Sequence, residues 1–80
     1  MLDNLKGSNK IVGFKQSLKA IEKGTAKVVF IARDADDKIT NNIQQLCREN
    51  SIEVVYADNM KVLGKACGIQ VDAAVACILK

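Results

Sequence analysis

Four short apolar runs alternate along this chain with segments whose apolar residues recur every three or four positions, and that alternation confines it to one class of fold. The runs lie at residues 10–12, 27–32 (KVVFIA), 52–57 and 73–79, and each reads as a strand. Between the first two, Phe14, Leu18 and Ile21 follow helical spacing over residues 14–23, with Gly24 suited to the C-terminal cap. Asp36 is a candidate cap for the next helix, whose apolar face is Ile39, Ile43, Leu46 and Cys47 and which ends near Asn50. Asp58 or Asn59 opens another, with Met60, Leu63 and Cys67 inward and Gly68 closing it. A short helical arm is expected over residues 2–6, ending at Gly7. Strands alternating with helices, without a linker or low-complexity stretch, make a single α/β domain with helices covering a central sheet.

Composition removes several function classes. Only 4% of the residues are aromatic, so the core is built from Ile, Val, Leu and Ala, and a base-stacking platform with several exposed rings is excluded. The chain has no histidine, which takes away most metal sites and the commonest general base. No nucleophile with a partner, no convergent acid–base pair and no phosphate-loop signature points to an enzyme. The three cysteines, an odd number without close pairing, fit reduced thiols in a cytoplasmic protein. Cys47 and Cys67 fall on apolar helix faces and Cys77 in the last strand, so all three read as small core residues. No run is long or apolar enough to span a membrane, and no signal peptide is expected ahead of the first charged residues.

The stretch Gly13-Phe14-Lys15-Gln16-Ser17-Leu18-Lys19 carries the chemistry. A strand that breaks at a glycine and restarts as a helix points backbone N–H groups and the positive end of the helix dipole outward, an anion-binding arrangement. On a helical wheel Phe14, Leu18 and Ile21 cluster within roughly 60°, with Lys15, Lys19 and Lys23 on the flank and Gln16 just beyond. A lysine in the first turn opposes the helix dipole unless an anion is bound. Charge is also polarised: residues 1–33 carry a balance of +5, residues 34–57 of −3, and the remainder +1. Such asymmetry suits a polyanion partner; a solvated lysine-rich surface stays open beside it.

A second candidate element is the segment from Leu63 to Asp72 (LGKACGIQVD). Gly64 inside a helix costs up to about 1 kcal/mol relative to Ala, so it is expected to permit close packing against the sheet or a ligand. After Gly68, Ile69 and Val71 bracket Gln70. Either they form a loop that offers two aliphatic side chains to an unstacked base, or they begin the last strand and point inward.

In order and spacing, the G-x-K-Q-x-x-K motif after the first strand, V-V-F-I-A-R-D-A-D at the second and L-G-K-A-C-G-I-Q-V before the last resemble one family. It is the ribosomal protein L7Ae family of kink-turn RNA-binding proteins, including its small bacterial relatives, and the resemblance runs from Lys10 to Leu79. It implies a three-layer α/β/α sandwich on a four-stranded mixed sheet. It also implies a non-catalytic protein that stabilises a kink-turn, an RNA duplex bent at a bulge beside tandem sheared G·A pairs. In that family the glycine-opened helix enters the widened groove at the G·A pairs. The matching positions here are Gly13 for close backbone approach, Gln16 for guanine edges, and Lys15 and Lys19 for bases or phosphates. Ile69, Gln70 and Val71 would cover the bulged nucleotides, with Lys65 in the same segment and Arg33, at a strand end, as secondary members of the RNA-binding set.

The sequence also departs from the family. Lys15-Gln16 stands where many archaeal and eukaryotic relatives have Asn-Glu, which replaces a carboxylate with a cation and favours phosphate attraction over strict guanine reading. Met60 occupies a position that is often lysine, with Lys61 displaced by one, and Asp37 stands where a proline is usual. A cytoplasmic monomer without cofactors is the default expectation, acting in the ribosome or another structured RNA. The alternative is a protein-interaction domain of the same fold without specific RNA binding.

Overall fold

The computed structural model describes Leu5 and residues 9–80. The arm expected over residues 2–6 lies outside the described residues except for Leu5, which is fully buried. The elements run β1 (Lys10–Val12), α1 (Phe14–Lys23), β2 (Ala26–Ala32), α2 (Asp37–Glu49), β3 (Glu53–Ala57), α3 (Met60–Ala66) and β4 (Val75–Leu79). The strands form one mixed sheet in the order β1-β4-β2-β3. β2 and β3 are parallel neighbours joined through α2, and β4 runs antiparallel to both β1 and β2.

Side-chain alternation divides the sheet into two faces. On one, Val29, Ile31, Val75 and Cys77 meet Ala20 and Ile21 of α1 and Ile43 and Cys47 of α2. On the other, Val28, Phe30, Ala32 and Ala76 meet Leu63 and Cys67 of α3 together with Leu5. Helices on both faces give the three-layer α/β/α sandwich that the resemblance implied. The central strands β2 and β4 are covered on both sides, which is why KVVFIA is a continuous apolar run and not an alternating one. All three cysteines are free and buried. Burial pushes each thiol up, Cys47 to about 11 with the neighbouring Cys77 adding to the effect.

The helix boundaries follow their caps. Gly24 takes the left-handed conformation that ends α1. Asp36 accepts the Lys38 N–H (2.8 Å) at the start of α2, and Asn59, rather than Asp58, accepts the Val62 N–H (2.8 Å) at the start of α3. Two expectations are corrected and one is refined. Phe14, Leu18 and Ile21 of α1 face the core as expected, but Ser17, Ala20 and Ile21 are the deepest, with Phe14 and Leu18 half-buried against the cluster. Small side chains let α1 lie close against the sheet, so the stripe centres on them and not on the larger apolar residues. The Ser17 hydroxyl has no hydrogen-bond partner among the described residues and sits beside the Cys77 thiol. β4 starts at Val75 and not at 73, because the Ala73 N–H is drawn aside to the Met60 carbonyl (3.0 Å). Finally, Gly64 makes its close approach to the backbone of Val71 and Asp72, a loop, and not to the sheet.

Candidate nucleic-acid interface

Strand register gathers the predicted elements at one end of the sheet. The Gly13 N–H donates to the Val75 carbonyl (2.9 Å), the Ala32 N–H to the Ala74 carbonyl (2.9 Å) and the Arg33 N–H to the Ala57 carbonyl (2.9 Å). The start of α1, the segment leading into β4 and the turn after β2 therefore form a continuous row. The last strand, β4, lies between the first two and so joins these segments.

Gly13 has φ of 116° and ψ of 154°, a backbone conformation that L side chains rarely adopt. A Cβ there would sit 2.9 Å from Gln16 Oε1. Gln16 is the third residue of α1, and its side-chain oxygen lies over Gly13 without a cap hydrogen bond, the Gly13 N–H being held by Val75. Gly13 thus opens the helix and also vacates the volume that the Gln16 amide occupies. Among the described residues no side chain caps the first turn, and no acidic residue lies in it. The exposed N–H groups and the dipole are left to an anion, with Lys15, Gln16 and Lys19 exposed around them.

The second half of the site is the loop at residues 69–72. Gly68 (φ 80°) turns the chain out of α3, and the Ile69 N–H returns to the Gly64 carbonyl (3.1 Å). Ile69 is half-buried against the core beneath α3, whereas Val71 is 68% exposed, the most open large apolar side chain of the described residues. The two aliphatics therefore differ: one anchors the loop and the other faces outward. A cleft of about 310 Å³ separates this loop from α3, lined by Lys61, Lys65, Ile69, Gln70, Val71 and Asp72. Lys61, noted from the sequence only as displaced by one from a position that is often lysine, stands in the cleft itself. Its spacing of four from Lys65, which stacks both on one face of a helix, is the signal that could have found it.

Arg33 is the outlier of the set. Its guanidinium lies 5.3 Å from the centroid of the Tyr56 ring, at the β3 edge, and the Tyr56 hydroxyl is itself hydrogen-bonded to the Gln44 side chain. Tyr56 pairs with Ile31 across the ladder and so stands on the α1/α2 face of the sheet. The side chain of Arg33 thus leans away from the loop at residues 69–72, although its backbone belongs to the same end of the sheet. Nearby Asp34 is engaged as well, accepting the Met60 N–H (2.7 Å) at the start of α3. Among the described residues no three acidic or cysteine side chains converge to hold a metal ion.

The arrangement therefore offers anion-binding N–H groups, amide donors and acceptors, lysines on two helices and one exposed aliphatic side chain. These are groups for holding a polyanion and reading a polar edge. The model of the Ribosomal protein L7Ae/L30e/S12e/Gadd45 family matches residues 2–80. A protein of Bacillus pumilus called an RNA-binding protein is 41% identical over 69 residues, covering 86% of this chain and 84% of its own. An RNA-binding protein of Caldanaerobacter subterraneus is 45% identical over 67 residues, 84% of this chain and 82% of its own. Among solved structures, the Giardia lamblia 15.5kD RNA binding protein superposes with a TM-score of 0.91 at 30% identity, over 99% of this chain and 70% of that one. A Bacillus halodurans protein of unknown function shares the fold, with a TM-score of 0.89 at 23% identity.

Proposed function

The chain belongs to the Ribosomal protein L7Ae/L30e/S12e/Gadd45 family, and from that membership and the geometry of its site we propose that it is a non-catalytic RNA-binding protein that recognises and stabilises kink-turns. The observation that carries the reading is the juxtaposition, at one end of the sheet, of a glycine-opened helix bearing Lys15, Gln16 and Lys19 with a loop that presents Val71. A kink-turn asks for these two elements together. Its sheared G·A pairs widen a groove that is otherwise too deep and narrow to read, and its bulge puts unstacked bases beside that groove.

In this reading the α1 N-terminus enters the widened groove. Gly13 lets the backbone approach, and the Gln16 amide donates to and accepts from guanine edges. Lys15 and Lys19 meet flanking phosphates, which fix position without reading sequence. Val71 and Gln70 cover the extruded nucleotides, Ile69 holds the loop in place from below, and Lys65 and Lys61 supply charge across the cleft. Arg33 joins the RNA only after leaving Tyr56, so its contribution is smaller than that of the lysines. RNA that samples bent and extended forms is drawn to the bent one, because only that form presents both features at once. The protein acts as a monomer in the cytoplasm, on ribosomal or other structured RNA.

Fluorescence anisotropy tests this directly, at fixed salt and magnesium, with a kink-turn RNA and the same RNA carrying Watson–Crick pairs in place of the G·A pairs. Tight binding to the first alone is expected. Equal, weak binding to both would leave only non-specific electrostatics and bring the protein-interaction reading forward.

A further inference from the structure

α1 continues past the kink-turn contacts, and a groove runs along it. This groove, about 250 Å³, lies between α1 and β1 and is lined by Ile11, Gln16, Lys19, Lys23, Thr25 and Leu79. β1 is an edge strand, so the groove opens to the side. It begins at Gln16, beside Gly13, and ends at Lys23 and Thr25, at the other end of the helix.

Its chemistry is one-sided. Lys19 and Lys23 are exposed, line the groove and lie one turn apart, a rise of about 6 Å along the helix. Among the described residues no carboxylate lines the groove. Glu22, adjacent to Lys23 in sequence, points roughly 100° round the helix towards the opposite flank. The floor is aliphatic, from Ile11 and Leu79. A pair of cations one turn apart over an apolar floor suits a sugar–phosphate backbone, whose charges lie outside and whose sugars are weakly polar. A track of this length meets about two phosphates of one strand.

We propose that this groove seats the backbone of the RNA stem that continues beyond the sheared pairs, with Lys23 as the phosphate contact at its far end. The inference rests on the kink-turn reading and extends it: the protein measures a length of duplex as well as the kink. Lys23 contributes no base reading, so its effect depends on stem length and salt and not on the identity of the G·A pairs.

The experiment compares two kink-turn RNAs, one whose stem is closed by a tight loop directly beyond the G·A pairs and one extended by a further helical turn. Wild-type protein gains affinity from the extension. Lys23→Gln binds the short-stem RNA as wild type does but loses about three- to tenfold on the extended one, and its salt dependence there flattens by about one unit of slope. Lys38→Gln, an equal loss of charge on the exposed first turn of α2, leaves both affinities unchanged. Lys23 is exposed in the last turn of α1, so the loss of its charge lowers the melting temperature by about 5 °C at most and leaves the fold intact. Equal losses on both stems, the same loss from Lys38→Gln, or no loss at all would each overturn the proposal. A wild-type protein that fails to prefer either kink-turn over its Watson–Crick control overturns the kink-turn reading itself, a result visible before any variant is made.

Discussion

Replacing Gly64 by alanine sets two effects of opposite sign against each other. Gly64 lies inside α3, where alanine is favoured over glycine by about 1 kcal/mol, so helix propensity alone makes Gly64→Ala stabilising. The tertiary structure reverses this. A Cβ at Gly64 would run into the Val71 carbonyl oxygen, with the Val71 carbonyl carbon at 3.1 Å and the Asp72 Cα at 3.2 Å. All three are backbone atoms, so no rotamer change relieves the overlap and residues 69–72 must move as a unit. That movement strains the Ile69 N–H bond to the Gly64 carbonyl (3.1 Å) and the Ala73 N–H bond to the Met60 carbonyl (3.0 Å). Overpacking costs about 1–3 kcal/mol, and loss of one of these hydrogen bonds adds about 1 kcal/mol. Set against the propensity gain of about 1 kcal/mol, the net is a destabilisation of about 1–3 kcal/mol. At roughly 4–8 °C per kcal/mol in a domain of this size, a drop in melting temperature of about 10 °C is expected by circular dichroism. In the proposed complex the same displacement moves Val71 off the RNA. A loss of about 1.4 kcal/mol in binding, or tenfold in Kd, follows for kink-turn RNA. A variant that melts at or above the wild-type temperature and binds equally well would show that the approach of α3 to the loop is not what positions the loop.

Val71→Ser is expected to change stability by no more than about 0.5 kcal/mol, as an exposed position should, while weakening kink-turn binding. Ile69→Ser, at a half-buried position, lowers the melting temperature as well; a large thermal loss from Val71→Ser instead would place that side chain in the core. Gln16→Ala reduces the preference for sheared G·A pairs over Watson–Crick pairs, whereas Lys19→Ala weakens binding to both and reduces the salt slope by about one. Equal losses on the two RNAs from Gln16→Ala would refute base reading by the amide. The thiols set an alkaline limit on stability. Folding raises Cys47 from its ordinary 9.0 to about 11, with Cys67 and Cys77 also raised. The unfolded chain therefore releases these protons first, so their contribution is intact below pH 9.0 and is lost as pH rises from 9.0 towards about 11. Chemical denaturation across that interval should show falling stability, and a flat profile would refute the assignment.

The sequence by itself determined the elements, because each is written in local chemistry. Short continuous apolar runs, apolar spacing of three to four, the left-handed glycine after α1 and the Asp and Asn caps of α2 and α3 act over a few residues. The G-x-K-Q-x-x-K motif likewise located half of the site, since a helix N-terminus carries its own N–H groups wherever it goes. What the sequence could not decide depends on pairing across the sheet. Insertion of β4 between β1 and β2 brings Gly13 beside Val75, a contact between residues far apart in the chain. The different roles of Ile69 and Val71 follow from where α3 sits, and the local pattern treats the two alike. The lean of Arg33 onto Tyr56 exists only because β2 and β3 are parallel neighbours in that register. Gly64 illustrates the division: its position in a helix is a local matter, but the carbonyl that requires it to be glycine belongs to a loop brought back by the tertiary fold.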